Sequence, residues 1–231
     1  MNGMIRKRKS VRRCESARLD TEALEQVKKQ VNSVKALYPD IKYSIEIVDK
    51  IKGTLGVKAP HYLVFGSEEK EGAYENIGFI GQQLDLYFSE AGLGSCWLGM
   101  AKSGTNEASK LPHVICMSFG KPDEPLHREI SEFKRKSMQE ISEGSDERLE
   151  AARLAPSAMN GQNWFFVASG GKIHCYRKKP SPLTGFIFNK LGCIDMGIAI
   201  CHIAMESTDF CFGKEPDAPS RRGYAYMGTV K

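Results

Sequence analysis

Apolar side chains recur at every third or fourth position in two long stretches of the chain, which predicts two amphipathic helices. The first stretch runs from Thr21 to Leu37, and the second runs from Glu75 to Gly92. A shorter helix is predicted from Ser145 to Leu154, because acidic residues in its first turn complement the helix dipole and Pro156 stops it.

Strand-like segments lie between these helices. Tyr43 to Val48 alternates apolar and polar residues, as a half-buried strand does, whereas His61 to Phe65 and Val114 to Phe119 are short apolar runs typical of central strands. Ser95 to Met100 is a further strand-like piece. The charged stretch from Pro122 to Glu143 has few apolar residues, and we interpret it as an extended connector.

An internal repeat predicts the architecture. The segment Gly78 to Gly99 aligns without gaps on Gly192 to Gly213, so that Gly78 falls on Gly192. Chance similarity between two amphipathic helices is the alternative, because glycine and isoleucine are common residues. We predict an α+β protein, an α/β sandwich of two diverged tandem half-repeats, residues 1–143 and 144–231, which pack as one globular unit.

Composition restricts the class of protein. The 231 residues are 41% hydrophobic with a formal net charge of +5, and no apolar run approaches the roughly 18 residues of a membrane span. No hydrophobic signal core follows the basic N-terminus, so we expect a cytoplasmic protein without a membrane partner. The seven cysteines include no close C-x-x-C pair, which favours reduced buried thiols over a disulfide framework or a zinc site.

The densest positive charge lies between Arg6 and Arg13. Three interpretations are open: a disordered arm that binds nucleic acid or directs targeting, a solvated charge run without a function, and a cradle for a phosphate group. Ser10 and Val11 interrupt the run, and a predicted helix begins soon after it, at Thr21. These features favour the cradle, because a segment tied closely to a folded helix has little freedom to be a loose tail.

A small polar loop, Ala155 to Asn163, connects the third predicted helix to an apolar strand. Its hydroxyl and amide groups suit hydrogen bonds to a flat polar ligand, while Trp164 and Phe166 anchor the loop to the core. An ordinary helix-to-strand turn uses the same residue types, so both interpretations are open from the loop alone.

Together these segments resemble the FMN-dependent nitroreductases, and more narrowly a short branch in which one polypeptide mimics the usual homodimer. In that family an N-terminal Arg-x-Ser-x-Arg/Lys segment holds the flavin phosphate and the pyrimidine edge of the ring. Here it matches Arg8, Ser10 and Arg12, with Lys9 beside them. The resemblance implies a nitroreductase-like sandwich that binds FMN.

A Pro-Ser-x-x-Asn-x-Gln-Pro-Trp loop of the family comes from the partner subunit and packs beside the same flavin. The matching segment here contains Pro156, Ser157, Ala158, Asn160, Gln162 and Trp164, with Asn163 in place of the family's second proline. In the first half, Ser33 to Asp40 takes the place of this loop. The resemblance therefore implies a single flavin site, which the first half begins and the second half completes.

A third family segment, Gly-Leu-Gly-x-x-Trp-Leu/Ile-Gly, matches Gly92 to Gly99. By the resemblance, the residues beside the flavin ring are Trp97, Leu98, Gly99 and Met100. Arg135 is the best match for a late basic residue at the phosphate, together with Arg8, and Arg12 is assigned to the N1/C2 edge. The side chains implied to fix the ring plane are Ser157, Asn160 and Gln162.

The function that the resemblance implies is a ping-pong oxidoreductase. NADH or NADPH reduces the flavin, and a small-molecule electron acceptor such as a nitroaromatic or a quinone then takes the electrons. No residue is assigned as an acid or a base, and His202 is interpreted as structural. We expect a monomer that acts as a fused pseudo-dimer, without a nucleic-acid partner. The alternatives are a non-catalytic flavin-binding protein for storage or sensing, and a basic nucleic-acid-binding module.

Overall fold

The computed structural model describes residues 2–103, 111–180 and 185–231, and of residues 186–188 only the backbone. The helices are α1 (Asn2–Ile5), α2 (Thr21–Ser33), α3 (Ala73–Glu90), α4 (Met138–Ile141), α5 (Leu149–Leu154) and α6 (Gly185–Met205). The strands are β1 (Tyr43–Val48), β2 (Ile51–Lys52), β3 (His61–Ser67), β4 (Gly94–Leu98), β5 (Lys102–Ser103), β6 (His113–Gly120), β7 (Ser142–Glu143), β8 (Trp164–Ser169), β9 (Lys172–Lys178), β10 (Phe212–Gly213) and β11 (Tyr224–Val230).

Two sheets carry most of the strands. The strand order is β1-β3-β6-β4 in the first sheet and β10-β11-β9-β8-β7 in the second, and β2 pairs with β5 separately. The short strand β7 runs parallel to β8, whereas the other pairs are antiparallel. The two sheets share a strand arrangement. The order β1-β3-β6-β4 of the first sheet corresponds to the order β8-β9-β11-β10 of the second. Helices combined with mostly antiparallel sheets form the α+β class that the sequence predicts.

Helices α3 and α6 cross closely at the centre of the molecule. A Cβ atom added to Gly78 would collide with the carbonyl oxygen of Ile194, and one added to Gly197 would collide with that of Glu75. Each contacted carbonyl precedes the glycine of its own helix by three residues, so the crossing is reciprocal. The crossing places Gly78 opposite Gly197, whereas the sequence alignment matches Gly78 with Gly192. The helices approach at Gly78 and Gly197 because neither residue has a side chain at the crossing point.

Helix α2 begins as predicted, where the carboxylate of Asp20 accepts the N–H of Ala23 at 2.8 Å. It ends at Ser33, before the predicted end at Leu37. The backbone of Lys35 leaves the helix because its N–H donates to Gln83 on α3 at 3.0 Å, and its carbonyl accepts from the same amide at 2.8 Å. A tertiary contact therefore shortens a helix that local periodicity would extend.

The predicted extended connector is folded. It contains a 3-10 turn at Ile130–Glu132, then α4, whose capping box joins Ser137 and Glu140, and then β7 on the second sheet. The helix predicted from Ser145 starts only at Leu149, because Asp146 accepts the N–H of Arg148 at 3.0 Å and holds a turn there. Polar caps hold these short pieces, so hydrophobic periodicity does not reveal them.

One apolar cluster joins both halves of the chain. It includes Phe65 and Phe119 of the first sheet, Phe166 of the second sheet, and Ile80 and Ile198 of the two crossing helices. All seven cysteines lie in the described part of the chain and are unpaired, and only Cys211 is exposed. Among the described residues, no helix combines the length and the apolarity needed to cross a bilayer.

Candidate functional site

The N-terminal basic segment is fixed against the first sheet. Val11 is fully buried, and its N–H donates to the carbonyl of Ser95 at 2.9 Å. The backbone N–H of Arg12 donates to the carboxylate of Glu124 at 2.6 Å. The segment is thus an ordered part of the fold, and the neighbours of Val11, which are Ser10 and Arg12, line cavities at the surface.

The charge of Arg8 is compensated within the protein. Its side chain is 1% exposed, and its Nε lies 2.8 Å from Oδ2 of Asp85, which is equally buried. Its Nη2 donates to the hydroxyl of Ser10 at 3.3 Å. Arg8 therefore brings less net charge to a ligand than an unpaired arginine would. Removing Arg8 would also leave Asp85 buried without a counter-charge. In comparable pairs such a change lowers the free energy of unfolding by about 3–5 kcal/mol.

A basic cavity of about 700 Å³ opens beside this segment. The predicted site residues that line it are Arg8, Lys9, Ser10, Arg12, Arg135, Pro156, Ser157 and Asn160. Arg128 and Lys134 add positive charge that the sequence analysis missed, and Glu132 brings a carboxylate. The N-terminal segment, the connector and the loop after α5 thus meet at one basic surface.

Arg135 carries a positive charge held by neutral partners. Its guanidinium group donates to the side-chain oxygen of Asn160 at 2.7 Å and to the carbonyl of Leu154 at 3.2 Å. Its buried Nε has no hydrogen-bond partner among the described residues. Burial, followed by the nearby positive charges of Arg128 and Arg8, lowers the pKa of Arg135 to about 10. An anion at this position would stabilise the charged form of the Arg135 guanidinium group.

Arg128 strengthens the same surface. Its Nε donates to the carbonyl of Arg8 at 3.1 Å, and its guanidinium carbon lies 3.6 Å from the centre of the Phe133 ring. Burial, followed by the charge of Arg8, lowers the pKa of Arg128 to about 10. No motif marks this residue in the sequence, because the folded connector brings it to the cavity.

The loop after α5 has an unusual backbone that its own polar groups hold. Met159, Asn160 and Gln162 have φ angles of 52°, 54° and 48°, a region that residues other than glycine seldom adopt. The amide of Gln162 accepts the N–H of Lys136 at 2.8 Å and donates to the carbonyl of Asn160 at 3.1 Å. Gln162 was predicted to contact the flavin, but it is not among the residues that line either cavity. Its hydrogen bonds instead hold the backbone of the loop.

A second cavity, of about 530 Å³, adjoins the basic one and has mostly apolar walls. The predicted site residues that line it are Ser10, Arg12, Trp97, Leu98, Gly99, Met100, Pro156, Ser157 and Ala158. Leu191, Ile194 and Ile198 of α6 complete its apolar wall. We call it the ring cavity, because its walls suit a flat apolar ring.

The two cavities are continuous. The residues that line both are Ser10, Arg12, Pro156, Ser157 and Met159. A ligand with a flat ring at one end and an anionic group at the other can therefore lie across them, with the anion among the arginines.

One family profile, described as "Putative TM nitroreductase", matches residues 2–207. The chain belongs to this family. The resemblance drawn from the sequence motifs is thereby confirmed.

One solved structure supports the nitroreductase-like fold. The crystal structure of a putative nitroreductase from Thermotoga maritima is similar over 99% of this chain and 91% of that chain, with a TM-score of 0.64 and 21% identity. An FMN-dependent nitroreductase from Clostridium difficile aligns with 58% of this chain and 95% of its own, with a TM-score of 0.46 and 20% identity. None of the curated proteins matches the chain.

A buried hydrogen-bond network in this nitroreductase-family chain connects the walls of the two cavities. Gln82 accepts from the indole N–H of Trp97 at 3.3 Å and donates to Asp85 at 2.9 Å, the carboxylate that pairs with Arg8. The same amide lies 3.1 Å from Nε2 of His202. Burial lowers the pKa of His202 to about 3, and its Nδ1 donates to a backbone carbonyl at 2.8 Å. His202 is therefore structural, as predicted.

Asp195 brings a carboxyl group to the ring cavity, and the sequence analysis missed it. It lies on α6, is 6% exposed, and accepts the N–H of Ala158 at 2.9 Å. Burial raises its pKa to about 7, and the hydrogen bond from Ala158 opposes that rise. An aspartate within the apolar central part of a helix is the signal that would have marked it, because unpaired carboxylates are rarely buried.

In the described part of the chain, no three histidine, cysteine or acidic side chains come together as a metal site requires. What the described residues assemble is an apolar ring cavity joined to a basic one.

Proposed function

We propose that this chain is an FMN-dependent oxidoreductase, which transfers electrons from NADH or NADPH to a nitroaromatic, quinone or similar acceptor. The observation that carries the proposal is the meeting of two predicted motifs at the joined cavities. One motif, Arg8 to Arg12, comes from residues 1–143, and the other, Pro156 to Asn160, comes from residues 144–231. Membership of the nitroreductase family supports the same reaction class.

The basic cavity fits the phosphate of FMN. Arg128 and Arg135 would hold it, because planar guanidinium groups bind phosphate through two parallel hydrogen bonds. The orphaned Nε of Arg135 supplies a donor that such a phosphate would satisfy. Arg8 would act mainly as a buried support, since Asp85 already compensates its charge.

The ring cavity fits the flavin ring. Leu98 and Ile198 offer apolar walls, and the exposed side chain of Arg12 stands at the junction of the two cavities, where a cation can meet the polar edge of the ring. When bound, the flavin supplies the hydride-transfer chemistry, and the protein orients it and shields it from water.

The two tandem halves would form one site per chain. In the first half, the segment that replaces the loop is held by Asn76 on α3, whose amide accepts the N–H of Tyr38 at 3.0 Å and donates to its carbonyl at 3.2 Å. The ring of Tyr38 packs edge-on against Phe212, with ring centres 5.9 Å apart. Because this aromatic pair lies where a second loop would stand, we propose a monomer that works as a fused pseudo-dimer.

Anaerobic reduction tests the proposed activity. We expect NADH or NADPH to bleach the visible absorbance of the FMN-loaded protein, and an added quinone to restore it. Bound flavin that neither nicotinamide reduces would favour the alternative of a non-catalytic storage or sensing protein.

The rim of the ring cavity is expected to bind the electron acceptor. Among the described residues, three of the four exposed large apolar side chains line this cavity: Leu55, Met100 and Met159. Exposing apolar side chains there gains nothing for folding, and such patches mark binding surfaces. Changing both Leu55 and Met159 to glutamine should raise KM for an apolar quinone about thirtyfold, since each loses roughly 1 kcal/mol of apolar contact.

Steady-state kinetics of the FMN-loaded variants measures this effect, with kcat expected to change little. The matched control is Ile130→Gln, which alters an equally apolar, exposed side chain that is not among the cavity's lining residues. An equal rise in KM for the control, or no rise for the double variant, would contradict a role of the rim in acceptor binding.

A further inference from the structure

Asp195 has a position that loop support alone does not explain. One carboxylate oxygen accepts the N–H of Ala158, and the side chain forms part of the wall of the ring cavity. A buried ionised carboxylate is costly without a cation or several donors. The hydrogen bond from Ala158 is a single neutral one, so some other role must justify a carboxyl group here.

The molecule contains its own comparison for this residue. Asn76 lies two residues before Gly78, and Asp195 lies two residues before Gly197, the glycine that faces Gly78 reciprocally at the helix crossing. Asn76 holds the backbone of Tyr38 through its amide, as Asp195 holds the backbone of Ala158. An amide therefore suffices to hold a loop at this place. At the ring cavity, the corresponding position has a carboxyl group instead.

We propose that Asp195 is a flavin-binding residue that takes up a proton when FMN binds and then presents its O–H as a hydrogen-bond donor to the flavin ring. This inference rests on the proposed function, because it requires FMN in the ring cavity. Asp195 would then serve as a neutral donor in a wall that is otherwise mostly apolar.

The direction of proton transfer follows from burial. Burial already raises the pKa of Asp195 to about 7, and a flat ring in the cavity removes its remaining water, which disfavours the charged form further. The charged or titratable groups nearby are Arg12 and Cys96 of the same cavity, Cys193 on α6, and Glu75 on α3 and Arg177 on β9, which both interact with Cys193. Burial, rather than these groups, is the largest cause of the shift.

The sign of the pH dependence is therefore fixed. A group whose pKa rises on binding favours the complex below its free-state pKa, and this contribution is lost as the pH rises above that value. The FMN affinity of the wild-type protein should fall about tenfold between pH 6 and pH 8 from this group alone, since each pH unit above the free-state pKa costs about a factor of ten.

The test compares FMN dissociation constants of the wild-type protein and Asp195→Asn, measured by quenching of flavin fluorescence at pH 6 and pH 8. Asparagine is uncharged and keeps an acceptor for Ala158, as Asn76 does for Tyr38, so the variant should lack this contribution. The ionisation of the FMN phosphate affects both proteins equally. We expect the wild-type dissociation constant, divided by that of the variant, to rise about tenfold from pH 6 to pH 8. A constant or falling ratio overturns the proposal.

A second measurement needs no variant. Isothermal titration of the wild-type protein with FMN at pH 8, in two buffers of different ionisation enthalpy, should show uptake of close to one proton. The FMN phosphate does not contribute, because it is already a dianion at this pH. No uptake, or proton release, overturns the proposal while leaving FMN binding intact. Failure of the wild-type protein to bind FMN would instead overturn the proposed function itself.

Discussion

The double variant Arg128→Ala and Arg135→Ala is expected to bind FMN at least about a hundredfold more weakly than the wild-type protein. Both guanidinium groups line the basic cavity, and the Nε of Arg135 lacks a partner among the described residues. A hydrogen bond to a charged group contributes about 1.5–3 kcal/mol, so the loss of two such donors exceeds a factor of one hundred in affinity. Fluorescence titration with FMN measures the effect.

Riboflavin and a charge-matched variant are the controls. Riboflavin lacks the phosphate, so the double variant should bind it about as well as the wild-type protein does. Arg6→Ala with Arg13→Ala also removes two positive charges, but both side chains are exposed and neither is among the residues that line the basic cavity. Equal weakening of FMN binding by the two double variants would mean that general electrostatic attraction, and not a phosphate site, holds the ligand.

Placing alanine at Gly78 or at Gly197 is expected to lower the free energy of unfolding by about 3 kcal/mol or more. The added methyl group would meet a backbone carbonyl of the facing helix, which cannot move away as a flexible side chain can. Separating α3 and α6 would loosen the apolar cluster that joins both halves, and overpacking of such contacts is costly. Denaturant unfolding with unchanged m-values measures the loss.

Gly192→Ala is the matched control on the same helix. A Cβ at this position would lie 3.0 Å from the side-chain Cδ of Arg177, and a side chain yields more easily than a backbone carbonyl, so the change should be within about 1 kcal/mol of neutral. The comparison also tests the repeat register, because the sequence alignment pairs Gly78 with Gly192 whereas the helix crossing pairs it with Gly197. Equal destabilisation at Gly192 and Gly197 would contradict the crossing as described.

Most of the predicted residues that line the two cavities lie in short motifs of unusual composition. Arg8, Ser10 and Arg12 alternate around the buried Val11, and the loop from Pro156 follows a helix stop, so both motifs are visible in the sequence alone. Strand β1 has the predicted bounds, because alternation and its flanking loops define it without help from tertiary contacts.

The remaining features depend on contacts between distant segments. Helix α2 stops early because Gln83 binds the backbone of Lys35, and Arg128 reaches the cavity only because the connector folds back over Arg8. Asp195 lies in an apolar helix with no motif around it, and its neighbour Ala158 is far away in the sequence. Local pattern contains none of these pairings.

The stoichiometry of FMN binding tests the central claim most directly. Purified protein titrated with FMN, and sized by sedimentation equilibrium at each end of the titration, should bind one flavin per chain and remain a monomer throughout. Absence of fluorescence quenching at saturating FMN would contradict the flavin site. One flavin per two chains at a new interface would contradict the claim that the two halves of a single chain build it.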